Sequence, residues 1–244
     1  LLGFGAKCKY TYPFRFMRLF IRILKLVVIL FLVSTVLMVL YYRWRPVSYT
    51  PLMPIRYVQH LIKGEVQPIH HEWVPLDSMS RYMPIAVIAS EDQNFLHHHG
   101  FDFTAIQQAV EEKRSRGRVR GASTISQQTA KNVFLWPSST WIRKGFEAYF
   151  TVLIELLWPK ERIMEVYLNS IEMGPGIYGV QATARQHFGC NASQLRRSDC
   201  ALIAATLPNP NRYSSVTPSR YMRKRQKQIL RQMKHIPLFP MSSK

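Results

Sequence analysis

Acidic residues are scarce in this sequence, and the first 45 positions contain none. The 244 residues include 14 Asp and Glu against 33 Lys and Arg, for a formal net charge of +19 at pH 7. The part beyond Arg45 holds all 14 acidic residues and 25 basic ones, and therefore still carries +11. Such an excess indicates an anionic partner, which can be a nucleic acid, an anionic membrane surface or a phosphorylated substrate.

Cysteine is also rare, and one group of catalytic motifs is missing. Cys190 and Cys200 could pair in an oxidising compartment, but two unpaired, half-buried thiols are the prediction; Cys8 is the third cysteine. No Cys/His spacing typical of a metal site occurs. No Ser is followed by Lys three residues later and no Lys-Thr-Gly occurs, which excludes the nucleophile of penicillin-type acyltransferases.

A long uncharged run near the N-terminus predicts a membrane anchor. Lys25 and Arg43 bracket seventeen uncharged residues, and snorkelling would extend the span back to about Leu19. Six Lys and Arg precede the run, a bias that favours a cytoplasmic N-terminus. A cleaved signal peptide is disfavoured because no small-x-small site follows. We predict a basic cytoplasmic tail over 1–18, a single membrane span over 19–42 and a periplasmic remainder.

Helical signals dominate the rest of the chain. A Pro-rich connector with one short helix is predicted over 43–70, a mainly α-helical domain over 71–236 and a tail over 237–244, since alternating strand patterns are nearly absent. The last helix should bury a stripe of Met222, Ile229 and Met233. Helix starts are predicted near Pro84, Asp102, Ser123, Ser138 to Thr140, Pro159, Ser198 and Thr217.

Glu91-Asp92 ends an apolar helical run and is the first candidate site. A partly desolvated carboxylate there tends to have a raised pKa, which suits proton abstraction. Taken alone, Glu91 would more often be a surface glutamate at a helix C-terminus. The three histidines at 97–99 do not favour a metal site, because adjacent helical residues point in different directions.

The second and third candidate segments are rich in cations. Residues 114–132 combine four arginines with a capped helix start and Lys131. This combination predicts an anion site, for a pyrophosphate in preference to nucleic acid. The spacing of Arg143, Lys144 and Glu147 puts them on one helical face. They could form a clamp that holds the pyrophosphate, or a solvated ion-pair patch. The apolar stretch 133–141 either joins the core or dips into the bilayer interface.

Four ordered motifs resemble those of the peptidoglycan glycosyltransferases of glycosyltransferase family 51, the monofunctional biosynthetic kind. Residues 91–100 match E-D-x-x-F-x-x-H-x-G and residues 121–132 match G-x-S-T-I-x-Q-Q-x-x-K-N. Residues 143–147 match R-K-x-x-E, and residues 160–169 match K-x-x-I-x-x-x-Y-L-N. The chain departs at Arg225-Gln226, where many members have paired arginines, and at His187, where a tyrosine is frequent.

The resemblance implies a lysozyme-like, mainly α fold with a membrane-associated apolar lobe, located in the cell inner membrane. It implies polymerisation of lipid II, with the lipid-linked strand as donor, by an inverting displacement that releases undecaprenyl pyrophosphate. Other cell-wall synthases or division proteins are candidate partners, and nucleic acid is not. A divalent cation, Mg²⁺ or Mn²⁺, is a candidate cofactor at Asp92 or Glu147, without a dedicated cage.

The resemblance also implies roles for individual residues. Glu91 would be the base on the acceptor hydroxyl, and Glu147 would hold the clamp or assist departure. The implied substrate-binding residues are Asp92, Phe95, His98, Thr124, Gln128, Lys131, Asn132, Arg143 and Lys144. Two rivals are a lytic transglycosylase or muramidase on the same fold, which needs no pyrophosphate clamp, and a non-catalytic membrane scaffold.

Overall fold

The computed structural model describes residues 12–117, 121 and 123–241. The chain divides into two compact units, Leu1–Tyr41 and Tyr42–Lys244. Helix accounts for 62% of the residues and strand for 3%, which confirms the predicted mainly α class. Cys190 and Cys200 are both free thiols, as predicted, and Cys8 lies outside the described residues.

The first helix, α1, spans Tyr12–Trp44 and contains the predicted membrane span 19–42. Residues Phe16–Trp44 are long and apolar enough to cross a membrane by length and composition. Its apolar side chains are exposed, as at Leu30 and Leu37, which is unlike a helix in a soluble core. The predicted tail 1–18 lies largely outside the described residues.

Nine further helices follow in the described part of the chain. They are α2 (Leu52–Ile62), α3 (Tyr82–Glu91), α4 (Phe103–Arg116), α5 (Ile125–Phe134), α6 (Trp141–Leu157), α7 (Lys160–Ser170), α8 (Val180–Thr183), α9 (Arg197–Ala204) and α10 (Arg220–Gln232). Short 3₁₀ turns at Leu76–Ser78 and Ala192–Gln194, and a π turn at Ala184–Phe188, complete the helical elements.

The predicted helix starts lie within two residues of the observed starts or caps. Helix α3 begins at Tyr82 and not at Pro84, and the cap of α10 is Ser219 and not Thr217. The Asp102 carboxylate accepts from the Ala105 amide at the start of α4, and the Thr140 hydroxyl accepts from the Arg143 amide at the start of α6. The cap of α5 is Thr124 and not Ser123 as predicted. Thr124 forms a reciprocal capping box with Gln127, which requires the N-cap three residues before the glutamine.

A small sheet supports the helices. Strand β1 (His70–His71) runs parallel to β3 (Ile177–Tyr178), and β2 (Glu172–Gly174) pairs antiparallel with β3. The strand order is β1-β3-β2. The sheet places the turn after α7 beside the segment that precedes α3, and it positions Glu172.

Two helical groups form the core of the larger unit. Helix α5 packs against α6 and α7, and α9 packs against α3 and α10. Met222, Ile229 and Met233 are buried, which confirms the predicted stripe on α10. By contrast, Phe103 and Val110 on α4 are exposed, so the apolar face of this helix makes little core.

Helix α2, in the predicted connector 43–70, packs into the larger unit. Leu52 and Met53 of α2 are buried. Arg162 of α7 donates from Nε and Nη2 to the Tyr42 carbonyl oxygen, at 3.0 and 2.7 Å, and also bonds the Arg45 carbonyl. These bonds satisfy carbonyls at the C-terminal end of α1, where no intrahelical donor remains.

The apolar stretch 133–141 is partly buried and partly exposed, and its predicted contact with the bilayer interface stays a prediction. Val133 and Leu135 are buried in the core, whereas Trp141 is 91% exposed. The exposure continues along α6 at Ile142 and Leu156. An exposed apolar surface of this kind is typical of a protein or membrane contact.

Candidate active site

Glu91 is the last residue of α3, at the edge of a cavity. Its Oε2 accepts from the Gln128 Nε2 at 3.1 Å, and its Oε1 accepts from the Ser90 hydroxyl at 3.1 Å. Burial raises the pKa of Glu91, and these two hydrogen bonds and the Arg225 charge oppose the rise only in part. The raised pKa brings Glu91 towards the range that suits a general base.

A buried phenol fixes the orientation of Gln128. The Tyr167 hydroxyl donates to the Gln128 Oε1 at 3.2 Å, and its side chain is fully buried. With its oxygen occupied by the phenol, the amide turns its NH₂ group towards the Glu91 carboxylate. Burial and the nearby acids raise the pKa of Tyr167 well above its ordinary value, so the phenol keeps its proton. The chain Tyr167–Gln128–Glu91 therefore holds the candidate base in one direction.

Asp92 connects the first motif to the second. Its carboxylate accepts from the Ile125 amide at the start of α5, at 3.0 Å, and contacts the His98 Nε2 at 2.9 Å. Gly100 has φ +89°, and a Cβ there would lie 2.8 Å from the Thr151 Cγ2, so only glycine fits. These contacts place the N-terminus of α5 beside Glu91.

We expect Asp92→Ala to lower stability. The substitution removes a buried charge-assisted cap and leaves His98 without its partner, at a cost on the order of 3 kcal/mol. The thermal midpoint of the full chain in detergent micelles should then fall by about 8 °C. Asp77→Ala, at an exposed aspartate, should change the midpoint little. If Asp92→Ala melts like the parent and loses only activity, Asp92 contacts the substrate directly.

The structure places several predicted substrate-binding side chains in internal contacts. Phe95 is completely buried, and the Lys160 ammonium lies 4.6 Å from its ring centroid. The Thr124 hydroxyl donates to the Gly100 carbonyl at 2.6 Å. With Asp92 and His98, these residues fix the backbone around Glu91, and their predicted contact with substrate stays a prediction.

The predicted clamp borders a second cavity, of about 330 Å³. Gln128, Lys131, Asn132 and Arg143 all line it. Gln128 is therefore the link between the two parts of the site, because it also bonds the candidate base.

Glu147 is the anionic partner of the clamp. It is 3% exposed, and its two carboxylate oxygens accept separately from the Arg143 Nη1 and the Lys144 Nζ. The Arg143 Nε also donates to the Ser138 carbonyl, so two bonds set the plane of this guanidinium. The i,i+3 and i,i+4 spacing predicted a shared face. The structure shows an ion-pair group there in which Glu147 and Arg143 are largely buried and Lys144 is partly exposed.

Lys131 lies between these charges. Burial lowers the pKa of Lys131; Arg143, Arg56 and Lys144 lower it further, and only Glu147 opposes them. No hydrogen-bond partner for its ammonium occurs among residues 12–117, 121 and 123–241. The buried Asn132 Nδ2 is likewise without an acceptor in that part of the chain. A bound anion would supply both acceptors and offset the crowding of positive charge.

The residues predicted to meet a divalent cation do not fit one. The Asp92 oxygens are occupied by His98 and Ile125, and the Glu147 oxygens by Arg143 and Lys144. A cation needs free oxygen ligands. Within the described residues no group of three or more His, Cys, Asp or Glu could hold a metal ion.

Several site residues were not identified from the sequence. The charge of Arg225, on α10, lowers the pKa of Glu91, and its guanidinium donates to the Ser90 carbonyl at 3.2 Å. Nothing in the sequence indicated this cation, because none lies near Glu91 along the chain. Tyr167 was matched only as part of a motif, and Arg56 and Glu172 were given no role. Of the arginines in 114–120, Arg118 and Arg120 lie outside the described residues and Arg114 is exposed.

The chain belongs to the transglycosylase family, whose model matches residues 58–234. This domain has a lysozyme-like, mostly helical fold. The chain is 62% identical over 212 residues to the biosynthetic peptidoglycan transglycosylase of Bacteroides thetaiotaomicron, covering 87% of this chain and 86% of that protein. It is also similar to proteins of the same name from Bdellovibrio bacteriovorus, at 53% identity over 83% of this chain and 81% of that protein. For the one from Pseudomonas aeruginosa, the identity is 47% over 83% of this chain and 88% of that protein.

Proposed function

We propose that this chain is a peptidoglycan transglycosylase that polymerises glycan strands from lipid II. The observation that carries the proposal is the position of Gln128, which joins a half-buried carboxylate on one side to a cation-lined cavity on the other. A glycosyl transfer from a diphosphate donor needs both groups. One accepts a proton from the attacking hydroxyl, and the other stabilises the departing anion.

The proposed reaction is a single inverting displacement. Glu91 accepts the proton of the acceptor 4-hydroxyl as its oxygen bonds to C1 of the donor sugar. The C1–oxygen bond to the undecaprenyl diphosphate breaks in the same step, and the bonding electrons leave with the diphosphate. Lys131, Arg143 and Lys144 hold that anion, with Glu147 fixing the last two. An α-linked donor then gives a β-1,4 product.

Two groups of residues prepare these positions without meeting the reacting atoms. Tyr167 and Gln128 orient the base, and Asp92 and His98 hold the start of α5 against it. We assign them positioning roles. Asn132 has an unused buried donor at the cavity and is assigned to the substrate.

Incubation of the full chain with labelled lipid II tests the proposed function. Gel analysis should show strands that lengthen with time. A muramidase on the same fold would instead shorten preformed strands and leave lipid II intact. A non-catalytic scaffold would give neither product, and Glu91→Gln would then change nothing.

We expect no cross-linking activity. The sequence contains neither Ser-x-x-Lys nor Lys-Thr-Gly, so the acyl-transfer nucleophile with its lysine is missing. A fluorescent penicillin should leave the purified chain unlabelled in a gel, beside a labelled penicillin-binding protein as the positive control. Covalent labelling that unlabelled penicillin suppresses would contradict this.

We expect the unit after α1 to lie on the periplasmic side of the inner membrane. Lys and Arg crowd the N-terminal flank of the uncharged run, and that side is retained in the cytoplasm. A reporter fused after Ser48 should be active if it needs the periplasm and inactive if it needs the cytoplasm. The reverse pattern would overturn both this topology and the substrate.

A further inference from the structure

Arg56 lies on α2, in the segment that follows the anchor, yet it borders the same cavity as Lys131, Asn132 and Arg143. The buried Leu52 and Met53 hold α2 against the larger unit, so the position of Arg56 is set by packing. Its side chain is 34% exposed and lies beside Glu172, a carboxylate that lines the same cavity.

The contact between Arg56 and Glu172 is electrostatic without being a hydrogen bond. The Arg56 Nε lies 3.6 Å from the Glu172 Oε2, and neither the buried Nε nor either Glu172 oxygen has a hydrogen-bond partner of ordinary geometry in the described chain. Burial raises the pKa of Glu172, with the Arg56 charge and the Gly176 amide opposing the rise. A guanidinium held in this way keeps its donors available for a ligand.

The charge of Arg56 also acts on the clamp. Together with Arg143 and Lys144 it disfavours the protonated form of Lys131, so four cationic side chains influence one small volume. Glu147 is hydrogen bonded to two of them, Arg143 and Lys144. Arg56 of α2 lies next to Glu172, a carboxylate that burial makes harder to ionise. An anion with several charges would be attracted by all four cations.

We propose that Arg56 is a fourth cation of the diphosphate site and contacts the phosphates of the lipid-linked substrate directly. The inference rests on the proposed function and extends it to the segment after the anchor. Seven residues separate the end of α1 at Trp44 from the start of α2 at Leu52. Arg56 is therefore close along the chain to the apolar helix α1.

Binding of inorganic pyrophosphate to the full chain in detergent micelles, measured by calorimetry, tests the proposal. Arg56→Gln should weaken binding about tenfold, as expected for one charge-assisted contact. Lys63→Gln removes one exposed charge just beyond the end of the same helix and should stay within about twofold. Lys131→Gln, in the clamp, reports on the proposed function itself.

Arg56→Gln leaves the Glu172 carboxylate without its cation and could fail to fold for that reason. A second pair of variants controls for this. Glu172→Gln and the double variant Arg56→Gln/Glu172→Gln differ only in the cation, and the double variant should bind about tenfold more weakly. If these two variants bind pyrophosphate equally well while Lys131→Gln binds it more weakly, the role of Arg56 is wrong and the diphosphate site stands. If Lys131→Gln also binds like the parent, the diphosphate site is wrong and the role of Arg56 falls with it.

Discussion

Replacing Glu91 by Gln should lower turnover on lipid II by a factor on the order of 100 or more, since general-base catalysis is typically worth that much. The amide has the shape of the carboxylate but cannot accept the proton. Pyrophosphate binding should be unchanged, because Glu91 belongs to the other side of Gln128 from the cation-lined cavity. Initial rates of strand formation, beside calorimetric binding, separate the two quantities.

The same residue should set the acidic limb of the pH–rate profile. A base must be deprotonated, so the rate should fall as the pH falls through the pKa of Glu91, which burial raises. The limb should therefore lie above the pH at which an ordinary glutamate titrates. Arg225→Gln removes a charge that lowers this pKa and should shift the limb upward.

Glu111 of α4 is exposed and provides the matched control. Glu111→Gln should keep the rate and the limb of the parent. Glu91→Gln should show a residual rate without that limb. A Glu91→Gln variant that retains the parent's rate would show that Glu91 is not the base.

Replacing Glu147 by Gln should affect binding and turnover together. The substitution takes away the carboxylate that holds Arg143 and Lys144 and leaves the buried Arg143 with a neutral partner. We expect pyrophosphate binding to weaken about tenfold and turnover to fall on the order of 100-fold, because misplaced cations stabilise the departing diphosphate poorly. The thermal midpoint, measured in parallel, shows that the variant is folded.

Glu161→Gln, at a half-buried glutamate near the start of α7, is the control for this change. It should leave both quantities close to those of the parent. The decisive comparison is between the two site variants. If Glu91→Gln weakens binding as much as rate while Glu147→Gln affects rate alone, the base and the clamp have been assigned the wrong way round.

Local contacts explain which parts of the site were predictable. Arg143, Lys144 and Glu147 lie within five residues on one helix, and helical periodicity alone puts them on a shared face. The caps at Asp102 and Thr140 follow from the same short-range chemistry. Asp92 looked like a ligand for substrate or metal because its hydrogen bond to Ile125 crosses 33 positions, which no local pattern encodes.

The sequence by itself determined the helical class, the long apolar N-terminal helix and the order of four chemically distinct motifs, because periodicity, charge and caps act over a few residues. Only the tertiary structure decided what surrounds each charge. It placed Arg225 beside Glu91, joined Tyr167 to the base through Gln128, and brought Arg56 to the edge of the cavity that Lys131 lines. Burial and electrostatics depend on distance in space, and these pairs are distant along the chain.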